Sequence, residues 1–273
     1  AGVGMRCFAA WALWFLGQPD QALDRMQEAL KLARELSEPH SLAHALSYVA
    51  ILHQLRRDQQ VAQEYAEAAI AISSEHGLVT YQAHATITRG WALSEQGLQE
   101  EGIQQMRQGL AAHQATGTRL RRPHYLALLS EALGKARQAE GLRLLEEALT
   151  WAHRSRDASY LAELHRIKGE LVLMQSPSPA VSPAARRGKA VVEAKPYVVA
   201  QAERCFHQSL EIARQQKAKS WELRAVMSLA RLYRNQGKQE EARALLTQIY
   251  DRFTEGFDTV DLREAKALLD ELS

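Results

Sequence analysis

The stretch GQPDQALDRMQEALKLA, residues 17–33, returns as GLQEEGIQQMRQGLAAH at 97–113 and as GKQEEARALLTQIYDRF at 237–253. Each copy opens on a glycine and a polar turn. A small residue follows (Ala22, Gly102, Ala242), then a larger apolar residue four positions on (Met26, Met106, Leu246). A pair comes three beyond that: Ala29-Leu30, Gly109-Leu110 and Ile249-Tyr250. Steps of four and three return a side chain to the same side of an α-helix, so each copy is predicted to be a helix with one buried face. Looser copies fill the gaps at Val61, Tyr65 and Ala68-Ala69, at Gly141, Leu145 and Ala148-Leu149, and at Ala202, Phe206 and Ser209-Leu210. The anchors 22, 61, 102, 141, 202 and 242 are spaced by 39, 41, 39, 61 and 40 residues. The long interval holds SPSPAVSPAARRGKAVVEAKP, residues 176–196, with four of the seven prolines and no helical periodicity. It reads as a flexible loop inserted in the fifth repeat.

A second helical pattern precedes each anchor: Phe8 to Leu16, Ser41 to Leu55, His84 to Gln96, Pro123 to Leu133, Tyr160 to Met174 and Trp221 to Asn235. A small residue sits near the middle of most of them (Ala10, Gly90, Gly169, Ala230), where two helices can approach closely. Strand signal is confined to Val191-Val192 and Val198-Val199, too short to form a sheet. Each unit is therefore a helical hairpin that cannot bury its apolar face alone, and stacking of neighbours solves that. After Gly256, Asp258-Thr259 can cap a last helix whose apolar face is Leu262, Ala265, Leu268, Leu269 and Leu272. A single amphipathic helix at 258–273 is what covers the last hairpin of a stack.

The pattern resembles the tetratricopeptide repeat family, best at Gly90, Gly97, Gly102 and Gly109 and at Ala230, Tyr233, Gly237, Ala242 and Ile249. The family period is about 34 residues, so these units are longer. Thr86, His165 and Val226 stand where the family consensus has Trp. Long units with softened motifs are similar to the repeats of bacterial sensors of the maltose-responsive activator type. The tail from Lys219, KSWELRAVMSLARLYRNQGKQEEARALLTQIYDRFTEGFDTVDLREAKALLDEL, resembles the C-terminal end of large bacterial predicted ATPases, often fused to nucleotide cyclase or kinase modules. The resemblance implies an all-α, right-handed superhelix of about six helical hairpins plus a capping helix, one domain over 1–273.

Composition narrows the function. The 34 basic and 32 acidic residues leave a charge of +2, which gives no global case for nucleic acid or an anionic membrane. The longest apolar run, Cys7 to Leu16, is 10 residues, and a spanning helix needs roughly 20. Two distant cysteines, Cys7 and Cys205, make no disulfide framework and favour a reducing compartment, so a cytoplasmic location is expected. The chain opens Ala1-Gly-Val-Gly, inside a hairpin, with Phe8, Trp11, Trp14 and Phe15 uncovered; that aromatic end is expected to self-associate or to pack against a neighbour.

No phosphate loop, G-x-S-x-G or H-E-x-x-H motif is present. His40 and His44 share a helix face but lack a third ligand, and Cys205 and His207 point to different sides of their helix. No catalytic residue, metal or cofactor is therefore expected. Three basic groups stand out: Arg119, Arg121 and Arg122, read as a solvated turn; Arg186, Arg187 and Lys189 in the insertion; and a run from Arg214 to Arg243 with eight Lys/Arg against three Glu.

In the resembling family the first helix of each hairpin lines the concave surface. Carried over, the groove shows Trp11, Trp14, His53, Gln54, His84, Trp91 and Glu95 toward the N-terminus, and Arg166, Glu170, Arg224, Arg231, Arg234 and Asn235 toward the C-terminus. Trp11 and Trp14 fit the core equally well. The groove is expected to run from aromatic to basic and to hold an acidic peptide, protein segment or effector. The ordinary alternative is that Glu170, Glu222 and Glu240 neutralise the arginines. By resemblance the chain is a non-catalytic sensor or scaffold arm of a bacterial signalling ATPase, with an ATPase or cyclase module of the same polypeptide as partner. The alternative is a free-standing adaptor that assembles protein complexes.

Overall fold

A computed structural model of the chain describes residues 2–155, 157–174 and 196–273. Thirteen α-helices and no strand appear among the described residues. They pair in order. α1 (Val3–Phe15) and α2 (Pro19–Leu36) make the first hairpin, α3 (Pro39–Leu55) and α4 (Gln59–Glu75) the second, and α5 (Val79–Glu95) and α6 (Gln99–Ala115) the third. α7 (Arg122–Ala136) with α8 (Gln138–Ser155), α9 (Leu161–Leu173) with α10 (Pro196–Gln215), and α11 (Lys219–Asn235) with α12 (Gln239–Tyr250) complete six. α13 (Val260–Glu271) follows alone. The expected insertion at 176–196, with Arg186, Arg187 and Lys189, lies outside the described residues except for Pro196, which starts α10.

The turns carry the repeat more evenly than the side chains do. Left-handed residues recur at Gly17, Arg57 and Gly97 inside hairpins, and at Ser37, Gly77 and Gly117 between them, each forty after the last. This corrects the second anchor. Val61 is only half-buried, while Ala62 and Ala66 are fully buried and face α3 with Ala69. The true positions 22, 62 and 102 are evenly spaced. Tyr65 instead lies beside the hairpin and stacks on His53 at 5.7 Å.

Close crossings depend on residues without bulk. A Cβ on Gly102 would stand 2.7 Å from the Ser94 backbone nitrogen, and one on Gly90 2.7 Å from the Gly102 oxygen. The two backbones of the third hairpin therefore touch there, and even alanine would force them apart.

The stack closes on itself. Trp14 of α1 is 3% exposed and meets Trp221 of α11 edge to face at 4.8 Å. The Ser220 hydroxyl donates to the Trp14 carbonyl at 2.5 Å. Glu255 Oε1 accepts from the backbone N–H groups of Asp20 and Gln21 at 3.0 and 3.1 Å. A helix leaves its first N–H groups without intrahelical partners, and these two are satisfied by a carboxylate from the far end of the chain. In return the Gly256 N–H donates to Asp20 Oδ2 at 2.9 Å. Trp14 is thus core rather than groove, and much of the aromatic N-terminal end is covered by the chain's own α11. Met5 and Phe8 remain exposed there.

Thr259 occupies the N-cap position of α13, yet its hydroxyl does not cap the helix; it donates back to the Gly256 carbonyl at 2.6 Å. Leu262, Ala265 and Leu268 are buried on the inner face of α13 and Leu272 is buried at its C-cap, with Leu269 partly buried.

Candidate functional site

Closure brings the first helices round a shared hollow. A basin of about 240 Å³ is walled at once by residues of α3, α5, α7, α9, α11 and α13. Gln54, Trp91, Glu95, Arg166, Arg224 and Arg231, six of the expected groove residues, lie on its wall.

Arg224 is buried and fully engaged. Its Nε donates to Asp261 Oδ2 at 2.8 Å, its Nη1 to Glu163 Oε1 at 3.3 Å and its Nη2 to the Leu55 carbonyl at 2.6 Å. The guanidinium also lies over the rings of Trp14 and Trp221. Burial works against its charge, but Asp261 and Glu163 outweigh burial and raise its pKa. Arg166 holds Glu163 through Nε and Nη2 at 2.8 and 2.9 Å, reaches Glu131 at 3.2 Å and stands 3.6 Å from Glu170. Glu163 is 3% exposed; burial pushes its carboxyl up, and Arg166 and Arg224 together pull it below the ordinary carboxylate range. Nearer the rim, Arg57 reaches Asp261 at 3.2 Å and Glu264 at 2.9 Å, and Arg231 reaches Glu264 at 3.0 Å.

These pairings overturn the expected basic groove. Four arginines on the wall (57, 166, 224, 231) face five carboxylates (95, 131, 163, 261, 264), so 4 − 5 gives a formal −1. Of the anticipated neutralising partners only Glu170 stands by one of these arginines, 3.6 Å from Arg166. Glu222 is buried between Arg214 and Arg252 and makes no bond to Arg224, whereas Glu170 accepts the Ser228 hydroxyl at 2.7 Å. Arg234 pairs with Glu271 and Asn235 is exposed at the end of α11, so neither reaches the basin.

The other expected residues are scattered. Trp11 stacks on Tyr48 at 4.7 Å, outside the basin. His53 is buried, with Nδ1 3.3 Å from Asp58, and burial lowers its pKa against the pull of that carboxylate. His84 is buried beside His113 and Tyr125. Arg121 belongs by sequence to a solvated turn, but it is 6% exposed, and its guanidinium lies 3.5 Å from the Trp11 ring centre. His40 and His44 both meet the Tyr81 hydroxyl at 3.1 Å. Burial raises the pKa of the Cys205 thiol, which disfavours a reactive thiolate, and His207 turns to the Tyr233 hydroxyl at 3.2 Å.

Sequence reasoning missed Arg57, Glu131, Glu163, Asp261 and Glu264. For Glu163 a signal existed: Glu163, Arg166 and Glu170 stand at three- and four-residue steps along one side of α9. For Asp261 and Glu264 there was none, because their partners lie on distant helices.

Tetratricopeptide repeat models match residues 5–75 and 223–253, the first two hairpins and the last. Both segments match the tetratricopeptide repeat pattern. The tetratricopeptide-like solenoid takes in all thirteen helices of the described residues. The apo form of RapI superposes over 98% of this chain and 84% of its own, with TM-score 0.61 and 13% identity. A Rap protein complexed with competence and sporulation factor covers 98% and 73%, with TM-score 0.59 and 11% identity. The apo form of the quorum sensor NprR from B. thuringiensis covers 98% and 69%, with TM-score 0.56 and 13% identity. At such identities the likeness is one of fold. An uncharacterized protein of Rhizobium meliloti (strain 1021) is 26% identical over 171 residues. That match takes in 62% of this chain, and the chain spans only 16% of the relative's length. No helix among the described residues is long and apolar enough to cross a membrane.

Proposed function

We propose that this solenoid is a non-catalytic binding module that takes a segment of a protein partner, in extended or helical form, into the basin. The observation that carries this reading is the basin itself: one concavity lined by six helices, with fixed charges of both signs. Such a wall suits a peptide, whose N–H and C=O groups need acceptors and donors in turn. A preference for purely acidic ligands has no basis in a wall of balanced charge. The Rap protein seen with its factor supports the reading by fold alone. We propose further that the module is the regulatory arm of a larger bacterial signalling ATPase acting in the cytoplasm. Its support is the resemblance of the tail from Lys219 and a relative of which this chain spans 16%. Binding would act on the upstream switch only through different affinity for its two states.

Selection from a random peptide display library against the purified chain tests the binding role. Enriched peptides should lose binding to Glu131→Ala with Arg231→Ala, two partly exposed basin positions, while the melting temperature stays within a few degrees. Peptides that bind the double variant as they bind the original chain would place the site elsewhere.

A further inference from the structure

The first helix is apolar on both sides. Val3, Cys7, Ala10 and Trp14 form its buried side. Met5, Ala9, Ala12 and Leu16 follow one another at steps of four, three and four, so they share a second stripe. All four are exposed, Met5 by 65% and Leu16 by 44%, and Phe8 stands exposed beside Met5 and Ala12. A helix at the surface of a globular protein turns charged and polar residues outward. α1 carries a single charged residue, Arg6, and turns out this apolar stripe instead. The far end of the stack differs: α13 shows solvent Arg263, Lys266, Asp270 and Glu271, the polar outer face that finishes a repeat array.

The forty-residue register shows what such a stripe meets. Forty positions on, Ala45, Val49 and Leu52 of α3 are buried, and eighty on, Ala85 and Ala92 of α5 are buried. α3 packs against α1 and α2, and α5 packs against α3 and α4. In both repeats, then, this side of the first helix is closed by the hairpin that comes before it. Tyr48, forty after Phe8, gives the contact in detail: Trp11 of the preceding hairpin stacks on it at 4.7 Å and Phe8 meets it edge to face at 5.5 Å. α11 does not close the same side of α1. It reaches α1 at the C-terminal end, where Trp221 meets Trp14 at 4.8 Å and Phe15 at 5.7 Å, and the stripe from Met5 to Ala12 stays open. We propose that this stripe is a docking surface for one further helical hairpin of the same repeat, carried ahead of α1 by the same polypeptide and packed on α1 as α1 and α2 pack on α3. The two alanines admit a close helix crossing, and Met5, Phe8 and Leu16 supply the apolar area whose removal from water drives it. The charged outer face of α13 gives a second copy no apolar C-terminal end to lay on α1. Nothing in this surface depends on what the basin takes.

Thiol labelling decides it. Cys7 and Cys205 are both buried, so a single reactive thiol can be placed on the stripe by Ala9→Cys and, as a control, on the charged face of α13 by Lys266→Cys. Maleimide labelling rates are compared between residues 1–273 and the natural polypeptide that includes the two repeat lengths encoded ahead of residue 1. Ala9→Cys should react freely in the 1–273 chain and at least about tenfold more slowly in the longer polypeptide, while Lys266→Cys reacts alike in both. If Ala9→Cys fails to fold, Ala12→Cys should give the same contrast. The residues ahead should also repeat the hairpin pattern, with a small residue forty before Ala22 and a larger apolar residue four beyond it. Equal labelling of the stripe in the two polypeptides would overturn the proposal, as would preceding residues that lack that pattern or the absence of encoded residues there. Labelling of Ala9→Cys in the 1–273 chain that slows as protein concentration rises would also overturn it and assign the stripe to a second copy.

Discussion

The Nη2 of Arg224 donates to the carbonyl oxygen of Leu55 at 2.6 Å, across 169 residues of sequence. With Asp261 and Glu163 on its other nitrogens, this arginine ties α3, α9, α11 and α13 together. Arg224→Met would leave two carboxylates facing each other without their shared cation. Breaking a buried pair from one side costs about 3–5 kcal/mol. Urea unfolding should show that loss, and small-angle scattering should show a larger radius as the seam loosens. An unchanged midpoint would show that the three bonds contribute little to the closed form.

The seam has an aromatic half as well. Trp221 is almost wholly buried, meets Trp14 at 4.8 Å and Tyr160 at 4.9 Å, and donates Nε1–H to the Ser159 carbonyl at 3.0 Å. Trp221→Ala should destabilise by about 3–5 kcal/mol. Because Trp14 and Trp221 touch, Trp14→Ala should be less damaging in that background, with a coupling of about 0.5–3 kcal/mol. Strict additivity in the double-mutant cycle would mean the two rings do not support one another.

Gly102→Ala should cost about 1–3 kcal/mol by overpacking the crossing with α5. The added Cβ would meet backbone there, which cannot rotate away as a side-chain end can. Thermal melting of this variant is a direct check on the close approach of the third hairpin.

Acid should weaken the fold in two stages. Burial holds His44 and His165 down to about 4 from an ordinary 6.5, and it holds His84 and His124 well below that ordinary value too. Between these values the unfolded chain takes up protons that the folded one refuses, so stability is full above pH 6.5 and is lost as pH falls toward 4. Glu163 and Glu264, held below the ordinary 4.5 in the fold, extend the loss to lower pH. The melting temperature should be flat between pH 7 and about 8, below the range in which burial holds the Cys7 thiol protonated against an ordinary 9.0, and fall steadily below 6.5. His165→Leu should flatten part of that fall; an identical slope would mean His165 is not shielded from protons.

The amino-acid sequence by itself determined the helices, their pairing and a period near forty. These are short-range properties: i to i+4 periodicity, a small residue at each crossing, and a breaker at each turn are all present within one repeat. Even the error at Val61 was local, since an alanine-rich helix, QQVAQEYAEAAIAISSE, offers several faces of nearly equal hydrophobicity. Only the tertiary structure decided that the stack closes, and closure decided the site. The window from Arg214 to Arg243 counts as strongly basic in sequence, yet its arginines at 224, 231 and 234 are met by Glu163, Asp261, Glu264 and Glu271, which lie outside it. Arg121 shows the converse: in the sequence it stands among polar turn residues, and in space it lies against Trp11 from the first helix. Coulomb energy and desolvation depend on distance through space, and a solenoid that closes brings residues over a hundred positions apart into contact.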